Sequence, residues 1–166
     1  MCMNIRKATI EDLNILTAVE HECFPPTEAA SEDDFRERLE VYADHFWLLF
    51  DGDRLVSFVD CFVTNERDLT DRMYEEASMH DENGAWQMIF GVNTIPEYRR
   101  KGCAALLIRQ AINDADEEGR DGLVLTCKKE LIPYYSGFGF VNEGVTPKSV
   151  HGGATWYQMR LTFRSV

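Results

Sequence analysis

Hydrophobic and polar positions alternate along this chain with two periods. Met3 to Ala8 alternates like a short strand, after which Leu13, Leu16, Val19 and Cys23 recur at helical spacing behind the opening signal Thr9, Glu11 and Asp12. Pro25-Pro26 ends that helix. Ser31 is placed to cap a second one through about Ala43, with Phe35, Leu39 and Tyr42 on one side. Phe46 to Phe50 and Leu55 to Thr64 read as strands joined across Asp51-Gly52-Asp53, which contains the Asp-Gly hairpin signal. The polar stretch from Asn65 to Asn83 predicts one short helix around Leu69 to Tyr74. Trp86 to Asn93 is the next strand, stopped by Pro96, and Cys103 to Glu118 is an amphipathic helix carrying Leu106, Leu107 and Ile112. Leu123 to Cys127, almost wholly apolar, reads as a buried strand. A short helix around Leu131 to Phe138 follows, and then two strands, Phe140 to Val145 and Thr155 to Phe163, around the turn His151-Gly152-Gly153. The order mixes α and β without a repeat or a low-complexity linker, and 166 residues suit one domain spanning 1–166.

Charge changes the picture only when the chain is divided. Residues 1–85 carry 21 acidic and 7 basic side chains, a balance of −14, while residues 86–166 carry 8 acidic and 10 basic, a balance of +2. An acidic whole argues against nucleic acid as a partner, since phosphates require a basic footprint. A near-neutral second half can hold an anionic cofactor, and an acidic first half favours a cationic partner such as a protonated amine, although such acids also serve solubility alone. No apolar run is long enough to cross a bilayer, and the first residues lack a signal peptide's pattern, so the expected location is cytoplasmic, without membrane contact. Five scattered cysteines and four histidines show neither disulfide nor metal spacing, so no metal is expected and the cysteines read as reduced packing residues. His21 and His45 read as surface or satisfied core, and His80, in an acidic loop, as solvated.

Nucleotide-loop, zincin and nucleophile-elbow signatures are all missing. What remains is Arg99-Arg100-Lys101-Gly102-Cys103-Ala104, between a strand and a helix. Free amides at a helix start, the positive end of its dipole, a glycine that admits close approach and three basic side chains make an anion cradle. An exposed basic turn capping a helix explains the same six residues equally well.

The longer stretch Val92-Asn93-Thr94-Ile95-Pro96-Glu97-Tyr98-Arg99-Arg100-Lys101-Gly102-Cys103-Ala104 resembles the acetyl-CoA motif of the GNAT superfamily of N-acetyltransferases. Tyr134-Tyr135-Ser136-Gly137-Phe138-Gly139-Phe140 resembles its second landmark, a tyrosine on a short helix followed by Gly-Phe. Val56-Ser57-Phe58, the run from Pro96 to Ala104 and Leu131-Ile132-Pro133-Tyr134-Tyr135 look most like the arylalkylamine branch and its bacterial relatives. The resemblance implies an α/β (α+β) acyl-CoA N-acyltransferase fold, with a central, mixed, mostly antiparallel sheet of about seven strands and helices on both faces. It implies acetyl-CoA as cosubstrate and a cofactor-binding set of Val92, Asn93, Thr94, Arg99, Arg100, Lys101, Gly102, Cys103, Ala104 and Ala105. In it, a bulge splays the Trp86 strand, the pantetheine arm pairs around Val92 and Thr94, the amide near Val92 polarises the thioester, and the amides of Arg100 to Ala105 hold the pyrophosphate.

Tyr135 then protonates the departing thiolate, an apt role because free tyrosine and an alkyl thiol both have pKa values of about 10. Its spacing to Gly139-Phe140 favours it over Tyr134, a core aromatic on the same reading. The two histidines that animal arylalkylamine enzymes place on this strand correspond here to Met88 and Phe90, neither of which accepts a proton. Asp60, alone in Phe58-Val59-Asp60-Cys61-Phe62-Val63, is the candidate for amine binding or proton acceptance, with a structural hydrogen-bonding role as the alternative. Glu28 is second choice, and His151 stands in a turn that can overhang the substrate end. The expected reaction is direct attack of an amine, on a small molecule or else on a protein or peptide, in a monomer or homodimer. A CoA-binding module without catalysis is the non-enzymatic alternative.

Overall fold

The computed structural model describes residues 2–163. The chain divides into two compact units, Met1–Cys61 with Gly91–Ala111, and Phe62–Phe90 with Ile112–Val166. Seven strands are ordered β1-β2-β3-β4-β5-β7-β6 in a mixed sheet. They are β1 (Met3–Lys7), β2 (Phe46–Asp51), β3 (Arg54–Thr64), β4 (Trp86–Thr94), β5 (Gly122–Cys127), β6 (Val141–Val145) and β7 (Tyr157–Thr162). The helices are α1 (Leu13–Cys23), α2 (Glu32–Tyr42), α3 (Asp71–Glu75), α4 (Cys103–Glu117) and α5 (Ile132–Ser136). The sequence-predicted elements are all present, with ends displaced by a few residues.

In the first unit, β1 pairs antiparallel with β2, and β2 antiparallel with β3. Local capping chemistry sets the start of the 3-10 turn Ile10–Asp12, which leads into α1, and the start of α2. The Thr9 hydroxyl accepts from the Glu11 amide at 3.3 Å while the Thr9 amide donates to Asp12 Oδ2 at 2.9 Å, and Asp12 also receives two 2.8 Å hydrogen bonds from Arg6. Ser31 Oγ accepts from the Asp34 amide at 3.1 Å, and the Ser31 amide donates to Asp34 Oδ2 at 2.9 Å. Such reciprocal caps satisfy amides that the first turn of a helix leaves unbonded. Leu16, Phe35, Leu39, Trp47, Leu48 and Phe58 are buried, and the aromatic ring of Phe35 meets those of Phe46 and Phe58 edge-on.

In the second unit, the parallel register joins Trp86–Ile89 to Gly122–Leu125, and β5 pairs antiparallel with β7, which pairs with β6. Two expectations need correction. Of α4, the buried residues Cys103, Leu107, Ile108 and Ala111 belong to the first unit and Ala115 to the second, whereas Leu106 is exposed: residues four apart share a face, and Leu106 lies one position, about 100°, off it. His80 is not solvated: its Nδ1 accepts from the Val63 amide at 3.0 Å and its Nε2 lies 2.9 Å from Glu82 Oε1. The loop folds back to β3, where the imidazole satisfies a backbone donor that the sheet does not.

Candidate functional site

The basic loop is built on anchors at its upstream end. Tyr98 donates its hydroxyl proton to Asp51 Oδ2 at 2.6 Å, and Arg54 holds Glu97 through two bonds of 2.8 and 3.0 Å. These tie Pro96–Tyr98 to the β2–β3 hairpin. Beyond them the chain enters the left-handed region twice, at Arg100 (φ 62°) and Gly102 (φ 82°), before α4 begins. Glycine takes that conformation freely, but arginine does so at a cost, so the Arg100 backbone is strained. A Cβ at Gly102 would meet nothing within 4 Å, so the glycine answers to backbone conformation and outward access rather than to packing. Arg99, Arg100, Lys101 and Gly102 are exposed, and Arg100 makes no hydrogen bond or ion pair among the described residues. Cys103 is buried, and Ala104 and Ala105 are half-buried. Leu106 N–H is the first to bond back, to Gly102 O at 3.0 Å, so the three preceding amides stand at the open helix start with no acidic side chain in the first turn.

Backbone orientation on β4 follows from two bonds. Asn93 O accepts from Ser57 Oγ at 2.6 Å, and Ile95 N–H donates to Val56 O at 3.0 Å, so both residues face β3. Alternation along a strand then turns the backbone groups of Val92 and Thr94 toward the opposite edge. Thr94 O there accepts from Arg99 Nε at 2.9 Å and from Cys23 Sγ at 3.4 Å. Asn93 departs from the rest of the cofactor set. Its carbonyl is engaged by Ser57 and its side chain is 0% exposed, directed into the interior rather than outward.

Asp60 lies in that interior, 1% exposed, with Oδ2 accepting from Arg38 Nη1 at 3.2 Å. Burial pushes its carboxyl up to about 7, with Arg38 opposing and Glu20 reinforcing the shift. An amine cannot pair with it directly from solvent. Glu20, on α1, is the residue that sequence reasoning missed. It is 6% exposed, its Oε2 accepts from the Ala30 amide at 2.9 Å, and burial raises its pKa despite that bond and Arg38. The available signal was a lone glutamate beside Val19 on the apolar face of α1. Glu28 sits in the turn after Pro25-Pro26, its amide donating to Pro25 O at 2.9 Å.

In the second unit, α5 separates two adjacent tyrosines. Tyr135 is 7% exposed and Tyr134 41%. The Tyr135 ring packs edge-on against Tyr134 and Phe140, and its hydroxyl has no hydrogen-bond partner among the described residues. Burial, reinforced by Tyr134 and Cys127, holds its pKa above the ordinary tyrosine value, so the phenol stays protonated at neutral pH. Met88 is fully buried, and Phe90 stacks on Phe62 with centroids 5.3 Å apart and lies 4.6 Å from Tyr74. His151 stacks on Tyr74 at 5.1 Å.

The sequence profile of the Acetyltransferase (GNAT) family matches residues 13–140, well over half of the chain. The chain belongs to the GNAT acetyltransferase family. Solved structures agree in fold. The loading GNATL domain of CurA from Lyngbya majuscula superposes with a TM-score of 0.84 at 17% identity, covering 98% of this chain and 98% of that one. The ribosomal-protein-S18-alanine N-acetyltransferase from Escherichia coli gives 0.75 at 16% identity, covering 99% and 96%. PaiA N-acetyltransferase from Thermoplasma acidophilum, in complex with coenzyme A, gives 0.70 at 16%, covering 98% and 100%. At these identities the likeness is one of fold. No curated protein matches the sequence. The profile match is to GNAT proteins as a whole and does not single out the arylalkylamine branch. No helix among the described residues is long and apolar enough to cross a membrane.

Proposed function

We propose that this GNAT protein transfers the acetyl group of acetyl-CoA to the amine of a small molecule by direct attack, with Tyr135 as general acid. The observation that carries the reading is the doubly left-handed turn at Arg100 and Gly102, which opens α4 with outward amides and an arginine that has no partner among the described residues. That arrangement suits a pyrophosphate: fixed N–H dipoles need no reorganisation, and Arg100 supplies mobile positive charge. The pantetheine contacts assigned here are the Val92 backbone and the Thr94 N–H, since Thr94 O already anchors Arg99. Asn93 is left out of the cofactor set.

The chemistry needs two proton movements. An ammonium must first lose a proton to become nucleophilic, and the thiolate that leaves must gain one. A protonated, otherwise unengaged phenol at Tyr135 suits the second step. Asp60 is the proposed acceptor in the first, acting through water because it is buried. Met88 and Phe90 offer no basic group, so serotonin-like substrates are not part of the proposal.

Free-thiol release from acetyl-CoA, measured over small amines, polyamines, amino acids and peptides, is the test. Turnover with a small amine supports the reading. Turnover with peptides alone replaces it with protein acetylation, and acetyl-CoA binding without turnover on any acceptor replaces it with a non-catalytic module.

A further inference from the structure

Four elements of the first unit converge beside Gly91. A Cβ built there would lie 2.7 Å from Asp60 Oδ1, 3.2 Å from Asn93 Nδ2 and 3.7 Å from Glu20 Oε1, so only glycine fits and the three polar atoms face one small chamber. None of these atoms has a hydrogen-bond partner among the described residues, and all three side chains are more than nine-tenths buried. The Asn93 amide stands near enough to the Glu20 carboxyl to favour its ionised form but does not close a well-formed hydrogen bond to it, and Asn93 Oδ1 is unpartnered among the described residues as well. Arg38 is the cation of the cluster, bonded to the other oxygen of Asp60. With both acids ionised the cluster carries one uncompensated negative charge in the interior. Burying such a charge is costly, and one proton removes it.

We infer that Glu20 and Asp60 work as a single proton-holding unit, closed over Gly91 by Asn93, and that this unit takes the proton of the acceptor's ammonium group. The inference rests on the proposed acetyl transfer for its role, though not for the shared proton itself. The balance is simple. R–NH3⁺ gives one proton through water to Asp60 Oδ1, and the resulting amine attacks the thioester carbon. The C–S bond breaks as the C–N bond forms, and the thiolate takes the Tyr135 phenolic proton, which the second amine proton replaces. The pair later returns its proton to solvent. Gly91 immediately precedes Val92, whose amide is assigned to the thioester carbonyl, so the chamber and the reacting carbonyl belong to consecutive residues of β4.

The charges around the pair set the direction of its response. Arg38, Tyr42 and Asp34 act on it from α2 and Cys23, itself beside Arg99, from α1, with Arg38 and the Asn93 amide favouring ionisation and Asp34 opposing it. Each carboxylate raises the other's affinity for a proton, so deleting one lowers the pH at which the other titrates.

Wild-type protein labelled with ¹³C at either aspartate or glutamate carboxyls should show one resonance of each type moving with the same midpoint near neutrality. Movement of the aspartate alone overturns the inference, and this measurement needs no substrate. In the kcat/KM profile for the amine, Glu20→Gln should shift the acidic limb to lower pH by about one unit or more. Asp60→Asn, which keeps Arg38 hydrogen-bonded, should reduce kcat/KM by roughly 10² while acetyl-CoA binding persists. An unmoved limb in folded Glu20→Gln protein overturns the inference even where the resonances titrate together. Shared titration in a protein that turns over no amine would instead defeat the proposed function and remove the pair's role while leaving its shared proton.

Discussion

The loop at residues 99–105 and the chamber beside Gly91 both depend on charged groups, and they handle charge in opposite ways. The loop keeps its basic side chains in water and spends conformational strain at Arg100 to aim backbone amides outward. The chamber removes Glu20, Arg38 and Asp60 from water, leaving protonation as the variable that relieves them. Solvated charge suits binding an anion that comes and goes; desolvated charge suits holding and releasing a proton. Substitutions in the loop should therefore cost affinity with little stability, and substitutions in the chamber should cost stability in a pH-dependent way.

Removing the chamber's cation is the most severe way to break the contrast. Arg38→Ala leaves two buried carboxylates without their partner and should destabilise the protein by about 3–5 kcal/mol. Urea midpoints should fall further at pH 8 than at pH 5, because Asp60's raised pKa leaves it protonated in acid and ionised above about 7. By the same sign, wild-type stability contributed through Asp60 is present in acid and lost as pH rises through that value. Equal losses at the two pH values would show that the chamber is not electrostatically loaded.

The same contrast of buried and exposed groups recurs at adjacent tyrosines. Tyr135→Phe should lower kcat by roughly 10² with acetyl-CoA affinity nearly intact, and Tyr134→Phe should stay within about twofold of wild type. Steady-state rates on both variants decide it, and equal rates remove Tyr135 from the mechanism.

A loop substitution should behave differently again. Gly102→Val finds room for its side chain but not for a β-branched residue at φ 82°, so the turn must rearrange. Acetyl-CoA affinity should weaken at least about tenfold, or about 1.4 kcal/mol, while the melting temperature barely moves. Calorimetry on the folded variant checks both halves. Asp12→Asn gives the smallest effect, about 1 kcal/mol, since it weakens a cap and an ion pair with a half-exposed arginine. Its sign is opposite to Asp60's. Arg6 holds the Asp12 carboxyl below its ordinary value, so that stability is present above about pH 4 and lost as pH falls. Thermal melts from pH 3 to 8 should separate the two acids.

Much of this protein is written locally. The Thr9 and Ser31 caps, the Asp-Gly hairpin, the stop at Pro25-Pro26 and the strand-loop-helix run into α4 depend on groups a few residues apart, which is why the chain order alone disclosed them. Even Asp60 stood out, as a carboxylate in an apolar strand. Glu20 and Asn93 did not, because their meaning comes from Arg38, Asp60 and Gly91, which reach the same point from α1, α2, β3 and β4. Leu106 and His80 misled for a related reason: an apolar residue one position off a helix face and an imidazole in an acidic loop are decided by what packs against them. Short-range hydrogen bonding and periodicity select the elements; only their assembly decides which polar groups lose water, and it is that loss which turns two ordinary carboxylates into a shared acid.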